Sequence, residues 1–174
     1  MSTDLYAVTV LGHDRPGIIA ATTAGLAELG LNIEDSTMTL LRGHFAMMLL
    51  CRGGSDAAAI ERALAPLAAD GDLDVAVRPV TDEPAHAAGG SAWVLTVHGG
   101  DRSGIVSAVV AEVAAAGGNI TDLTTRLAGD LYLLVAELDL PAGSDVSAVE
   151  GAIRASAERL GVTATLRPAE ADEL

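Results

Sequence analysis

Tyr6-Ala-Val-Thr-Val-Leu-Gly-His-Asp-Arg-Pro-Gly-Ile18 and Trp93-Val-Leu-Thr-Val-His-Gly-Gly-Asp-Arg-Ser-Gly-Ile105 are one pattern written twice. At a constant offset Gly12 meets Gly99, Asp14 meets Asp101, Arg15 meets Arg102, Gly17 meets Gly104 and Ile18 meets Ile105. The same offset carries Gly30 onto Gly117, Asn32-Ile33 onto Asn119-Ile120, and Asp35 onto Asp122. After a small insertion Arg78-Pro79 matches Arg167-Pro168. An internal duplication accounts for a repeat of this length. It divides the chain into a first domain at 1–80, a linker at 81–91, a second domain at 92–169 and an acidic tail at 170–174. The linker is polar, small and Pro/Gly-bearing, the composition of a flexible connection.

Within each copy the patterns come in one order. Tyr6, Val8 and Val10 alternate with Ala7 and Thr9, which predicts a strand. Gly12–Gly17 reads as a turn into a helix, with Pro16 suited to the first helical turn, where a missing N–H costs nothing. Ile18, Thr22, Leu26 and Leu29 recur at helical spacing, and Gly30 stops the helix. A strand follows from Asn32 to about Leu41, then a tight turn at Arg42-Gly43, then the apolar strand Phe45–Cys51. In the second copy Gly129-Asp130 takes the turn position, a Gly-first pair suited to a type II′ hairpin. Ser55 or Asp56 caps a second helix whose stripe is Ile60, Leu64 and Leu67, matched by Val149, Ile153 and Leu160. Last come strands with Leu73, Val75 and Val77, and with Val162, Ala164 and Leu166, on one face.

The order β-α-β-β-α-β, twice, predicts an α+β protein: two ferredoxin-like domains in tandem, each an antiparallel four-stranded sheet with two helices on one face. Phe45, Met47 and Leu49 alternate with Ala46, Met48 and Leu50, so this strand is apolar on both sides. A sheet with one wet face alternates apolar and polar. The second face is therefore expected to be covered in part, by the other copy or by another chain. Each domain of roughly 80 residues buries only about 60–65% of its unfolded surface, so docking of halves or chains matters to stability. An even-numbered homo-oligomer, a homodimer first, is the expected assembly.

The net charge is −14, and all ten basic residues are arginine. Nucleic-acid affinity comes largely from cations on phosphates, so direct DNA or RNA binding is not expected, nor binding to an anionic membrane. The N-terminus lacks a basic segment followed by a long apolar run, and no apolar run approaches the ~20 residues of a membrane span. The expected setting is cytoplasmic and reducing, with the single cysteine, Cys51, a core residue rather than a nucleophile. His13, His44, His86 and His98 show no metal-ligand spacing, and no phosphate loop, nucleophile elbow or metal cluster occurs. No metal, no cofactor and no catalysis are expected.

The candidate binding residues are Gly12, His13, Asp14, Arg15, Pro16, Gly17 and Ile18, with Gly99, Asp101, Arg102, Ser103, Gly104 and Ile105 in the second copy. Each stretch joins a strand to a helix N-terminus, where free N–H groups and the helix dipole favour an anion. A free amino acid suits such a place through its carboxylate. Asn32-Ile33 and Asn119-Ile120 sit at the other end of the same helix. They reach such a ligand only where different domain ends meet. The bland roles are equally concrete: Asp14 and Asp101 as helix caps, Gly17 and Gly104 for close helix–sheet packing, and the asparagines as turn formers. Ser103 replaces Pro16 and Gly100 replaces His13, so the two copies are expected to differ in ligand or affinity.

Asp14-Arg-Pro-Gly-Ile18 followed by Gly30-Leu-Asn-Ile33, with Asp101-Arg-Ser-Gly-Ile105 and Gly117-Gly-Asn-Ile120, resembles the ACT domain, in two copies over nearly the whole chain. The resemblance implies a βαββαβ regulatory module that takes amino acids or other small metabolites at domain interfaces. Tandem ACT proteins of this length resemble the glycine cleavage system transcriptional repressor family, which implies action on a partner transcriptional regulator without a DNA-binding domain. A similar stretch opens formyltetrahydrofolate deformylases. Their catalytic domain follows it, whereas this chain ends at Leu174, so a non-catalytic protein is expected. A ligand-free interaction or oligomerisation module is the alternative.

Overall fold

Alternation sets the inner face of the first sheet. Tyr6, Val8 and Val10 are buried together with Phe45, Met47, Leu49 and Cys51 of the neighbouring strand. The computed structural model describes residues 4–82 and 90–169. His86, most of the expected linker and the acidic tail lie outside them. The chain forms two compact units. In the first, the elements are β1 (Asp4–His13), α1 (Ile18–Glu28), β2 (Asn32–Leu41), β3 (His44–Gly53), α2 (Ala57–Leu64) with a 3₁₀ turn at Ala65–Ala68, and β4 (Leu73–Val80). The second holds β5 (Ser91–Gly100), α3 (Ile105–Ala115), β6 (Asn119–Ala128), β7 (Leu131–Leu140), α4 (Val146–Arg159) and β8 (Val162–Pro168).

The sheets run β2-β3-β1-β4 and β6-β7-β5-β8, antiparallel throughout. This is the expected ferredoxin-like plan. β1 and β5 are inner strands, bonded on both sides, and the helix that follows each covers its apolar face. Ile18, Thr22 and Leu26 of α1 are buried, as are Ile105, Val109 and Val113 of α3. Each such side chain removed from water contributes about 1.5–3 kcal/mol. Thr22 satisfies its hydroxyl on the Ile18 carbonyl at 2.8 Å.

Both first helices stop the same way. Gly30 has φ 70° and Gly117 φ 73°. Gly30 N–H bonds the Ala27 carbonyl and Leu31 N–H the Leu26 carbonyl; Gly117 and Gly118 repeat this on Ala114 and Val113. That is the Schellman stop, which uses up carbonyls the helix leaves unpaired. The hairpins differ. Arg42 and Gly43 both have positive φ, while in the second unit Gly129 alone does, as the type II′ reading requires.

Of the two cap candidates for α2 the structure takes one. Asp56, not Ser55, caps α2 by accepting from Ala59 N–H at 2.7 Å; Ser55 bonds the Leu29 carbonyl. Asp145 caps α4 likewise. Leu160 ends its helix half-buried, and Ala157 takes the deepest place on that stripe. β2 and β6 each carry a bulge, between Ile33 and Asp35 and between Ile120 and Asp122. On the outer sheet faces Leu11 is 54% exposed, Met48 45% and Leu131 53%, while Leu5 and Ala7, on the same face of β1 as Leu11, are buried.

Cys51 has no exposed surface. Burial, and secondarily the Glu34 carboxylate, push its thiol above the ordinary value, so thiolate is scarce. The native protein is expected to leave Cys51 unreacted with a thiol reagent at pH 8 and to release one thiol per chain in denaturant. Fast labelling of the native state would contradict the core assignment.

Candidate functional site

β1 continues through Gly12 and His13, so the connection to α1 is shorter than the motif suggests: Asp14 to Gly17. Two backbone bonds hold its start. His13 N–H donates to the Asp72 carbonyl at 3.0 Å and Asp14 N–H to the Gly43 carbonyl at 2.9 Å. A Cβ on Gly12 would overlap the Asp72 carbonyl and stand 2.9 Å from Leu73 Cα. Gly99 is crowded too, though less, with Val162 Cα 3.0 Å from a Cβ built there. Close packing is thus the role of Gly12 and Gly99, not of Gly17 and Gly104. Around a Cβ at Gly17 nothing lies within 4 Å, and at Gly104 only Ser107 Oγ, at 3.9 Å.

Gly17 and Gly104 serve conformation instead. Both have φ 92° and stand at the N-cap of α1 and α3, with no side chain capping either helix and no acid in either first turn. Asp14 and Asp101 are therefore not caps. Pro16 precedes the cap and lies outside the helix, so it shapes the approach to Gly17 rather than the first turn. What remains at each helix start is a left-handed glycine and N–H groups without a side-chain partner, an arrangement suited to an anion. Ser103 is exposed there and makes no hydrogen bond among the described residues.

The candidates divide on inspection. Ile18 and Ile105 are core, 3% and 2% exposed, and Ile33 and Ile120 pack against the same clusters. His13 stacks on His44 with centroids 5.1 Å apart and its Nδ1 lies 3.3 Å from the Gly43 carbonyl. Arg15 is committed within its own unit: Nη1 pairs with Asp70, and Nη2 donates to the Leu67 carbonyl at 2.9 Å. It closes the loop onto the 3₁₀ turn over a cleft of about 290 Å³ that Pro16, Gly17 and Ala21 also line. The matching cleft of the second unit, about 630 Å³, is lined by Arg102, Ser103, Glu158, Arg159, Leu160 and Gly161.

Asn32 pairs with Arg52 at the end of the sheet where β1 begins, and Asn119 with Asp139. The loops lie where β1 and β5 finish, so each unit holds its loop and its asparagine at opposite sheet ends. Sequence reasoning missed what stands beside Asn32. Arg52 bonds both oxygens of Glu34, at 2.6 and 3.2 Å, and both of Asp82, at 2.8 Å. These hydrogen bonds hold its guanidinium above its ordinary pKa. Glu34 and Asp82 also border an outer-face cleft of about 560 Å³ with Met48 and Val80. The bulge that turns Glu34 toward Arg52 left no mark in the sequence pattern. Among the described residues no cluster of His, Cys, Asp and Glu fits a metal ion, and no helix is long and apolar enough to cross a membrane.

Residues 5–78 and 92–167 both match the ACT domain. A glycine cleavage system transcriptional repressor from Escherichia coli is 28% identical over 167 residues, 91% of this chain and 87% of that one. A UPF0237 protein of Listeria monocytogenes is 36% identical over 77 residues, which is 44% of this chain but 86% of that protein. A crystal structure of an unknown protein from Galdieria sulphuraria superposes with TM-score 0.83 at 29% identity, covering 97% of this chain and 99% of the other.

Two outcomes test this geometry. Gly17→Ala should cost about 1 kcal/mol, the strain of a left-handed Cβ in open space. Gly12→Ala should cost about 3 kcal/mol, since backbone must move as well; equal losses in urea unfolding would refute the distinction. Asp70 lies below its ordinary value of 3.8, first through the Asp72 N–H, then through Arg15. A depressed carboxyl stabilises the fold above its unfolded pKa and loses that contribution as pH falls through the folded one. Asp70→Asn should therefore lower the melting temperature at pH 7, and the gap should close below pH 3.8. A gap unchanged down to pH 2 would remove the Arg15–Asp70 pair from the account.

Proposed function

From the premise that the chain belongs to the ACT-domain family in both of its halves, we propose that it is a non-catalytic regulatory protein that binds a small metabolite, an amino acid by class, and thereby modulates a protein partner. The observation that carries this reading is the paired helix start. Gly17 and Gly104 share φ 92°, both helices lack a side-chain cap, and both stand in a family of regulatory modules. A ligand carboxylate satisfies the open N–H groups of α1 or α3. Asn32 or Asn119 reaches that ligand from the other end of a sheet, and we assign this second end to another copy of the chain in a homo-oligomer.

The partner we propose is a transcriptional regulator. Support comes from the likeness, over most of both chains, to a glycine cleavage system transcriptional repressor, and from a net charge of −14 that disfavours direct contact with DNA. Regulation of useful size needs a coupling of about 1–3 kcal/mol between ligand and partner. A second reading, a ligand-free interaction module, has its own support in the outer sheet faces. Leu11, Leu41 and Met48, and Leu131, Leu133 and Val135, are exposed there, and apolar patches of this kind mark association surfaces.

The deciding measurement is a thermal-shift panel of the twenty amino acids on the whole chain. A ligand at ~100 times its Kd adds about 2.7 kcal/mol, a rise of about 5–10 °C for a chain of this size. One or a few amino acids should raise the melting temperature selectively. Asp101→Ala with Asn119→Ala, and Asp14→Ala with Asn32→Ala, should reduce the rise without altering far-UV circular dichroism, since none of these side chains caps a helix. A flat panel with a persistent oligomer would favour the interaction module instead.

A further inference from the structure

The two units are not equivalent where their clefts lie. The caps Asp56 and Asp145, and the strand starts Leu73 and Val162, are both 89 positions apart, so the segment between them aligns without a gap. Pro66 then falls on Ala155, Leu67 on Ser156 and Asp70 on Arg159. The first exchange lets α4 run on to Arg159, where α2 gives way at residue 64 to a 3₁₀ turn containing Pro66. The last exchange reverses a charge. Arg15 of the first unit is neutralised by Asp70; its counterpart Arg102 shares its cleft with a second arginine and makes no ion pair among the described residues.

Arg159 is held in place from below. Its Nη2 donates to Ser156 Oγ at 2.7 Å, and that hydroxyl donates to Glu112 Oε1 at 2.5 Å. Ser156 is 1% exposed, and Glu112 itself stays 4.0 Å from the Arg159 guanidinium. In the first unit the position of Glu112 is Gly25, packed against Leu64. The polar chain between helices in the second unit therefore ends in a guanidinium at the cleft. Two arginines facing a cleft of about 630 Å³ repel each other unless an anion lies between them, and a guanidinium grips carboxylate or phosphate oxygens in pairs. Glu158, which also lines the cleft, offsets part of this charge.

We propose that the cleft of the second unit is an oxyanion site, formed by Arg102 and Arg159, for the carboxylate or phosphate group of a small metabolite, and that the first unit has no counterpart. Its regulatory meaning rests on the reading above, whereas its existence is tested separately. Inorganic phosphate and succinate are titrated calorimetrically into the full-length protein at low ionic strength. One of them at least binds saturably at one per chain; phosphate alone marks a phosphate ester as the natural group, succinate alone a carboxylate. Arg102→Ala and Arg159→Asp each weaken the bound anion about tenfold or more, the loss of one charge-assisted contact. Glu158→Gln tightens it. Arg154→Ala removes the same charge from the exposed face of α4 and leaves affinity unchanged. All four positions are at the surface or half-exposed, and unchanged circular dichroism confirms that the variants fold. No binding of either anion by the unaltered protein, or loss in Arg154→Ala equal to that in Arg102→Ala, overturns the site. A flat amino-acid panel with intact phosphate or succinate binding sinks the amino-acid reading alone, and the reverse pattern sinks only this one.

Discussion

The structure hangs on a place where a side chain has no room. One residue before the end of β1, Gly12 lies against the Asp72 carbonyl, and Gly99 of β5 stands likewise against Val162. Because the backbones meet there, the chain before β4 can bond the last residue of β1, and the loop that follows starts from a fixed point. The helix start, the cleft beside it and the charge at Arg15 or Arg102 all take their positions from that contact. A Cβ at either glycine would push strand and turn apart and blur everything built on the loop.

Much of this was legible in the residues. Alternation at Tyr6, Val8 and Val10, the 3–4 spacing from Ile18 to Leu26 and the stop at Gly30 are local signals, and each became the element it predicts. Duplication made them stronger, since every element had to be read the same way twice. The helix starts were read less well. Asp14 and Asp101 have the residue type of a cap, yet a left-handed glycine three positions later takes the cap position and leaves the acids outside. The partner of Arg15 is Asp70, 55 positions away, and nothing in the local pattern links them. The bulge that presents Glu34 to Arg52 was equally silent, because a single unpaired residue barely disturbs an already polar strand.

The two copies have kept their frame and changed their fittings. The first helices, the strand order and the cap residues coincide, whereas the contact between the helices is apolar around Gly25 and Leu64 in one unit and runs through Glu112, Ser156 and Arg159 in the other. Such exchanges are tolerated because they lie at the rim of each core. Leu49, Leu64, Leu134 and Ile153 stay fully buried on either side of them. A regulatory chain gains from this division, since one half can hold its loop closed by an internal ion pair while its twin leaves the same loop open to solutes.

The bulges have a historical meaning. A bulge swaps the faces of every residue beyond it, so it is hard to introduce into a finished sheet without exchanging inside for outside. The one after Ile33 and the one after Ile120 stand at matching positions. The simplest order of events is that the bulge is older than the duplication and was copied with a sheet already adapted to it. The ancestor was then a single unit of about half this length, the size at which the Listeria protein stands alone. By the same measure the difference between Asp70 and Arg159, which the copies do not share, is the younger feature.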